Sequence, residues 1–181
     1  MLRKLIKLIK FVKGYDVVFP FKNGYAQVQK NGKFGNINRF GKQICKIKYD
    51  YCSPVYDDLI HACIDDKWGL VSRKGKELSE LKYDHIGAFR KNGFCVVHMN
   101  DIEGIIHISN PNEFIPFKLV CRDIGNGNDL YYARYKDRYI LSSGGNMGTL
   151  EEFEKVASYS KDDNYIKIVN KFKESVKYER V

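Results

Sequence analysis

Cys95, His98 and His107 are the residues of this chain whose types best suit a metal ion. A thiolate and two imidazoles are ligands that zinc prefers, and the Cys-x-x-His spacing keeps the first two close along the chain. The surrounding residues alternate as a β-strand does, however, which places Cys95 and His98 on opposite faces. Ligands on opposite faces of one strand cannot converge, so we predict neither a metal site nor a cofactor.

The run YYARYKDRY, residues 131–139, is the strongest candidate for ligand binding. If it forms one strand, Tyr132, Arg134, Lys136 and Arg138 share a face that is both aromatic and basic. Rings beside cations can stack on nucleic-acid bases and hold phosphates, and they can also receive an acidic protein surface. We therefore take these four side chains as the candidate partner-binding residues.

Two glycine-containing segments resemble catalytic loops only superficially. GNGND, residues 125–129, is not followed by the Lys-Ser/Thr of a phosphate loop, and SSGGN, residues 142–146, lacks the Gly-x-Ser-x-Gly of a nucleophile elbow. Both are predicted to be turns. Without a convergent set of titratable groups, we predict that the protein is not an enzyme.

The net charge of +9 is concentrated at the start of the chain. Residues 1–14 contribute +5, residues 15–148 contribute +4, and residues 149–181 contribute 0. The basic segment LRKLIKLIKFVK is predicted to cap the fold with its lysines in water, and the alternative is an amphipathic helix on an anionic membrane or nucleic acid. Because lysines interrupt it at every third residue, it fits neither a signal peptide nor a membrane span.

The five cysteines are odd in number and form no Cys-x-x-Cys pair. Neither a complete disulfide set nor a zinc knuckle is indicated. Free thiols fit a reducing compartment, so we expect a soluble protein of the cytoplasm.

A period of 34 residues organises the first 110 residues. Tyr-Asp pairs recur at this spacing, KFG at residues 33–35 returns as KWG at 67–69, and a third copy keeps the register after a one-residue insertion near Arg90. In that copy Glu103 replaces the aromatic residue before the glycine. The signature positions are Tyr15, Asp16, Phe34, Gly35, Tyr49, Asp50, Trp68, Gly69, Tyr83, Asp84 and Gly104.

Each copy is predicted to be β-structure. GYAQVQK alternates apolar and polar residues, Asn31-Gly32 is a preferred hairpin turn, and KFGNIN and QICKIKY supply two further strands. Tetratricopeptide repeats share the period, but the glycines at 24, 32, 35 and 41 would each cost a helix about 1 kcal/mol. The regular aromatic residues, with Phe21, Trp68 and Phe89 among them, are expected to be buried core, and Asp16, Asp50 and Asp84 to accept turn hydrogen bonds.

These recurring residues resemble the WG-repeat, or KWG-repeat, family of bacterial and phage proteins. The similarity rests on the Tyr-Asp pairs, the KNG turns, Phe34-Gly35 and Trp68-Gly69, and it covers roughly residues 15–110. It implies a β-rich repeat scaffold, often combined with other domains, and it implies no catalytic residues that can be carried over.

The resulting fold class is mainly β, an open array of stacked antiparallel three-stranded repeats followed by a C-terminal pair of helices. Thr149 and Glu152 form a capping box that opens the helix TLEEFEKVASY, and a second helix follows with apolar residues at helical spacing. Both helices are expected to pack on the last β unit. The predicted segments are a basic cap at 1–14, repeats at 15–48, 49–82 and 83–117, a degenerate fourth repeat at 118–148 and a helical cap at 149–181.

Three functions remain open from the sequence. The leading one is a non-catalytic module that binds another protein, as an immunity, inhibitor or counter-defence protein does. The second is nucleic-acid or nucleotide binding through the basic aromatic face, and the third is an enzyme whose site is assembled by the repeats.

Overall fold

The computed structural model describes residues 14–124, 127–160 and 163–177. The predicted N-terminal cap therefore lies outside the described residues except for Gly14, as do the first two residues of the GNGND loop and the last four residues of the chain.

The chain forms four antiparallel sheets in sequence order, followed by two helices. In each sheet the strands pair with their neighbours in the chain, as in a meander. The first sheet contains β1 (Val17–Val18), β2 (Tyr25–Lys30), β3 (Lys33–Asn38) and β4 (Gln43–Tyr49), and the second contains β5 (Tyr51–Cys52), β6 (Leu59–Ile64) and β7 (Lys67–Ser72). The third contains β8 (His85–Ile86), β9 (Phe94–Met99), β10 (Ile102–His107) and β11 (Asn110–Pro116), and the fourth contains β12 (Lys118–Cys121), β13 (Leu130–Tyr135), β14 (Arg138–Ser143) and β15 (Asn146–Thr149).

The mainly β class is confirmed, and the strand number is corrected. Three of the four sheets have four strands rather than three. The extra strand in the first sheet arises because the segment after Tyr15-Asp16 pairs with β2, through Val17 opposite Gln29 and Val18 opposite Val28. A fourth meander at residues 118–149 follows the three repeats.

The hairpin turns follow from residue types that tolerate positive φ. Asn31 and Gly32 have φ of 50° and 74°, and Asp65-Asp66 and Asn100-Asp101 occupy the same place between β6 and β7 and between β9 and β10. These values are those of the primed turns that match the twist of two-residue hairpins. The inward positions of the alternation are buried as predicted, at Ala26, Val28, Ile60, Ala62, Cys95, Val97, Ala133 and Tyr135.

The described contacts divide the chain into two compact units. The first runs to Ala88 and also takes Val97–Asp101 and Ser109–Asn112, and the second holds the rest. In the first unit, side chains of β4 and β6 share a core that includes Cys45, Tyr49 and Ile60.

The second unit is closed by the two helices. α1 (Leu150–Tyr159) begins after Thr149, whose side chain forms the predicted capping box with Glu152. α2 (Asp163–Val176) buries Ile168, Val169 and Phe172. These side chains pack against the fourth sheet, on residues that include Leu130, Tyr132 and Leu141. The expectation that the helices cover the last β unit is confirmed.

Candidate functional site

The predicted face of Tyr132, Arg134, Lys136 and Arg138 does not form, because the run YYARYKDRY is a hairpin and not one strand. β13 ends at Tyr135, Lys136 and Asp137 make the turn, and Arg138 begins β14 opposite Tyr135. The ring of Tyr132 is buried against Phe172 of α2, with centroids 5.6 Å apart. Arg134, Lys136 and Arg138 are exposed, and their role in partner binding stays a prediction.

The candidate metal ligands lie apart in the structure. Cys95 is buried, and its Sγ donates to the carbonyl of Val96. The exposed ring of His98 lies instead beside that of His85, at 5.8 Å between centroids. Across the described residues, 14–124, 127–160 and 163–177, no group of three or more His, Cys, Asp or Glu side chains could hold a metal ion.

The Tyr-Asp motif is a structural device that recurs between the sheets of the first unit. Oδ2 of Asp50 accepts from the backbone N of Asp65 at 2.9 Å, and Oδ2 of Asp84 accepts from Asn100 at 2.6 Å. Asp16 accepts in the same way from Asn31, so the predicted turn bonds are confirmed. Lys33 and Lys67 of the preceding copies also pair with Asp50 and Asp84, which no sequence pattern indicates.

The glycine after each aromatic position is required by close backbone approach. A Cβ on Gly69 would lie 2.6 Å from the Glu80 carbonyl oxygen, and one on Gly35 would lie 2.7 Å from that of Cys45. In both sheets the chain returning after the hairpin crosses the glycine too closely for any side chain. Gly104 in the third copy is confined in the same way, by the carbonyl of Ile115.

Four of the aromatic side chains are less buried than predicted, namely Phe21, Phe34, Trp68 and Phe89. Trp68 is half-buried, because it stands on the more exposed side of β7 and stacks edge-on against Tyr51 at 5.8 Å. The ring contacts continue from Tyr51 to Phe34 and from Phe34 to Phe19. Phe21 is 42% exposed and Phe89 half-buried, since both precede a hairpin in loop positions. Tyr49 and Tyr83 are buried as predicted.

Two polar side chains in the core of the first unit, those of Tyr49 and Cys52, donate hydrogen bonds. Tyr49 donates its hydroxyl to Glu77 at 3.0 Å, and burial with this bond raises the pKa of the phenol. Lys48 pairs with the same carboxylate, and together the two partners lower the pKa of Glu77. The thiol of Cys52 donates to Oδ1 of the buried Asn36 at 3.0 Å, and its pKa is raised by the bond to Cys45 and by burial. A thiol held in this way is a poor nucleophile.

An open groove of about 640 Å³ lies in the second unit. The loop before β9 forms one side, the start of β15 forms the floor, and α1 with Tyr165 of α2 forms the other side. We call it the basic groove. Its lining residues are Phe89, Arg90, Lys91, Asn92, Asn146, Met147, Gly148, Glu152, Phe153, Lys155, Val156, Tyr159 and Tyr165.

Hydrogen bonds fix the two sides of the basic groove. Asn92 donates from Nδ2 to Oε2 of Glu152 at 2.9 Å, and the same oxygen accepts from the backbone N of Thr149 at 2.8 Å. Arg90 donates from Nη2 to the carbonyl of Gly145 at 3.2 Å. The capping box of α1 therefore also holds the loop that carries the cations.

The free charge of the basic groove is positive. Arg90, Lys91 and Lys155 are exposed, and within the described part of the chain none of them forms an ion pair. Glu152, the one carboxylate in the described lining, already accepts two hydrogen bonds. Tyr159, 69% exposed, adds a ring at the end of α1. Such a surface suits an acidic ligand with an apolar or aromatic side chain.

Sequence reasoning missed the basic groove because its two sides lie far apart in the chain. Asn92 and Glu152 are 60 residues apart, and no local pattern joins them. Two signals lay close to it: the insertion near Arg90 in the third copy, and the capping box at Thr149. Each was visible as a local feature, and only the fold brings them together.

Among the described residues, no helix has the length and apolar character needed to cross a membrane.

Comparisons with known proteins give information on the first half of the chain. A search of curated proteins found no match to the chain. The family model for the WG containing repeat matches three times, at residues 13–34, 34–68 and 68–101, and its boundaries fall on Phe34 and Trp68 of the repeat signature. Through these three repeats, the chain belongs to the WG-repeat family.

Proposed function

We propose that this protein is a non-catalytic binding module whose basic groove receives an acidic, extended segment of a partner protein. The observation that carries the proposal is the set of exposed cations, Arg90, Lys91 and Lys155, around an open cavity with aromatic walls. Its volume lies within the range of roughly 300 to 1,000 Å³ that is usual for ligand sites.

The lining residues support binding rather than catalysis. Among the described residues, no His, Cys, Asp, Ser or Thr side chain lines the basic groove. Glu152 is the one carboxylate among the described lining residues, and both the helix cap and Asn92 use it as an acceptor. A nucleophile with an adjacent base, which covalent catalysis needs, has no candidate in this set. Inhibitor, immunity and counter-defence roles all belong to the proposed class of function.

Nucleic-acid binding is the second candidate, and the basic character of the same groove favours it. Single-stranded nucleic acid combines stacking on aromatic rings with phosphate contacts along a basic track. The basic groove offers a short track, with its three cations gathered at one cavity. We therefore rank an acidic protein segment above a nucleic acid.

A fluorescein-labelled octapeptide of alternating Glu and Tyr is a direct probe. We expect it to bind the full chain, and to bind the variant Lys91→Glu/Lys155→Glu at least about tenfold more weakly, because the reversal makes the groove repel it. The matched control is Lys74→Glu/Lys76→Glu, which makes the same change of net charge at two exposed lysines outside the groove.

Three results would contradict the proposal. The first is equal binding of a peptide with Gln in place of Glu, and the second is an equal loss of affinity in the control variant. The third is tighter binding of single-stranded DNA of the same charge, with an affinity that falls steeply as salt rises, which would favour the nucleic-acid function instead.

A further inference from the structure

We propose that a second, smaller pocket in the same unit binds a phosphate group, held by Lys136 and Arg138 beside the imidazole of His107. The pocket measures about 220 Å³ and shares no lining residue with the basic groove. Its lining residues are Phe94, His107, Tyr135, Lys136, Asp137 and Arg138. We call it the hairpin pocket, since the turn between β13 and β14 forms one side.

The turn residue Lys136 is the first observation that points to a ligand. The corresponding first turn position is Asn31, Asp65 and Asn100 in the preceding sheets, types that accept positive φ at little cost. Lys136 has φ of 56° without that tolerance. A strained conformation at one turn among four is the kind of outlier that marks functional positions.

The second observation is the charge around the hairpin pocket. Lys136 and Arg138 are exposed, and neither forms an ion pair with any described residue. Antiparallel pairing places Arg138 opposite Tyr135, so both cations stand at the same end of the hairpin. Asp137 also lines the pocket and offsets one of the two charges.

The aromatic floor fixes the position of the imidazole. His107 stacks on Tyr135 with ring centroids 5.1 Å apart and planes at 25°, and Phe94 meets His107 edge-on at 4.7 Å. Phe94 and Tyr135 are buried, so the half-buried His107 is held between rigid rings. The imidazole therefore has a fixed place in the lining of the pocket, where an anion bound by the two cations would change its surroundings.

Phosphate fits these features better than a carboxylate does. A guanidinium can donate two parallel bonds to phosphate oxygens and an ammonium adds a point charge, so the three or more oxygens of a phosphate group can contact both cations at once. The pocket is smaller than the roughly 300 Å³ of typical ligand sites, which excludes a large ligand and suits one phosphate group. The source of that group can be free phosphate or a phosphorylated side chain.

The test follows the imidazole resonances of the full chain by NMR at constant pH and ionic strength as inorganic phosphate is added. We expect the His107 signal to shift in a saturable manner while those of His61, His85 and His98 stay in place. Lys136→Asn should weaken the effect about tenfold or more, as expected for the loss of a charged hydrogen bond. Because Asn suits the turn, this variant should also fold at least as stably as the parent.

Two further variants sharpen the result. Arg138→Gln should weaken binding as Lys136→Asn does, whereas Asp137→Asn should strengthen it by removing a repelling charge. Arg122→Gln, at a guanidinium whose side chain is 82% exposed outside the pocket, is the control that should bind phosphate normally. An absent His107 response, or an equal response in Lys136→Asn, would overturn the proposal.

A peptide carrying phosphoserine distinguishes the two sources. Tighter binding of that peptide than of inorganic phosphate identifies a phosphorylated side chain, and equal binding identifies free phosphate. The phosphate proposal is independent of the peptide proposal, since variants of the basic groove leave the hairpin pocket intact.

Discussion

The hairpin of the first sheet, β2 and β3, and that of the fourth sheet, β13 and β14, both consist of two six-residue strands. They differ at the third residue of the second strand. In the first sheet Phe34 is followed by Gly35, and the ladder from β3 to β4 contains register shifts around Asn36. In the fourth sheet Tyr139 is followed by Ile140, and β14 pairs with β15 in regular register from Ile140 to Ser143. The difference shows what the glycine does: it admits a third strand that crosses too close for a side chain.

The two regions also differ in how they are held together. The first three copies repeat a polar arrangement in which one aspartate accepts a turn amide of its own copy, and Asp50 and Asp84 also pair with the lysine of the copy before. The fourth sheet instead receives a cover of apolar side chains from α1 and α2. Each further copy of the repeat can form the same polar links with the copy before it. The fourth sheet is instead covered by the two helices, which act as a cap at the end of the array.

Phe172→Ala should have the largest effect, because it removes the centre of the helical cover. The ring is fully buried and contacts Tyr139 at 5.0 Å and Tyr132 at 5.6 Å. We expect the free energy of unfolding to fall by about 3–5 kcal/mol, as for other buried aromatic residues cut to Ala. Denaturant unfolding followed by helical circular dichroism measures it. Ile166→Ala, on the same helix but 39% exposed, is the control, and an equal loss there would refute the apolar cover.

Gly69→Ala should have the next largest effect and tests the close approach of the returning chain. The added Cβ would meet the Glu80 carbonyl oxygen at 2.6 Å and Cδ2 of Leu81 at 2.9 Å. The strand must shift, at a cost of about 1–3 kcal/mol. Equilibrium unfolding monitored by the emission of Trp68, the neighbouring residue, reports it directly. Gly14→Ala is the control, since its Cβ would meet no atom of the described residues within 4 Å. Equal stability of both variants would contradict the role given to the glycine.

The repeat region was largely predictable because its signals are local. Strand alternation and the Asn-Gly turn gave β3 and β4 with the observed bounds, and the capping box gave the start of α1. The partial exposure of Trp68 was not predictable, since a regular aromatic position indicates packing without saying which side of the sheet it occupies.

A degenerate fourth repeat was predicted at residues 118–148, but the turn between β13 and β14 was missed because it carries no turn signal. Lys136-Asp137 is neither Asn-Gly nor Asp-Gly, so the alternation from Tyr131 continues through it as if the strand did not end. The basic groove was missed for a different reason, since it joins the loop before β9 to α1 across some 60 residues. Sites of that kind depend on tertiary structure, and a single sequence contains no pattern that reports it.

The polar links between copies should have the smallest effect, and pH separates them from the apolar contacts. The bond from Lys33, together with that from the Asp65 amide, lowers the pKa of Asp50 below its ordinary value. In the next copy the corresponding partners, Lys67 and the Asn100 amide, lower the pKa of Asp84. A carboxylate whose folded pKa is depressed stabilises the fold above its unfolded pKa, and it loses that contribution as pH falls through the folded pKa.

Asp50→Asn should therefore lower the Tm at pH 7 by less than Gly69→Ala does, because exposed ion pairs contribute little and are screened by salt. The difference from the parent protein should shrink as pH falls below about 4, where the unfolded aspartate takes up its proton. Thermal unfolding of both proteins between pH 7 and pH 3 measures this. Asp57→Asn is the control, at an exposed turn residue of positive φ where Asn is also tolerated. A Tm difference that stays constant with pH would show that Asp50 acts through packing. The ion pair between Lys33 and Asp50 would then not stabilise the contact between the first two copies.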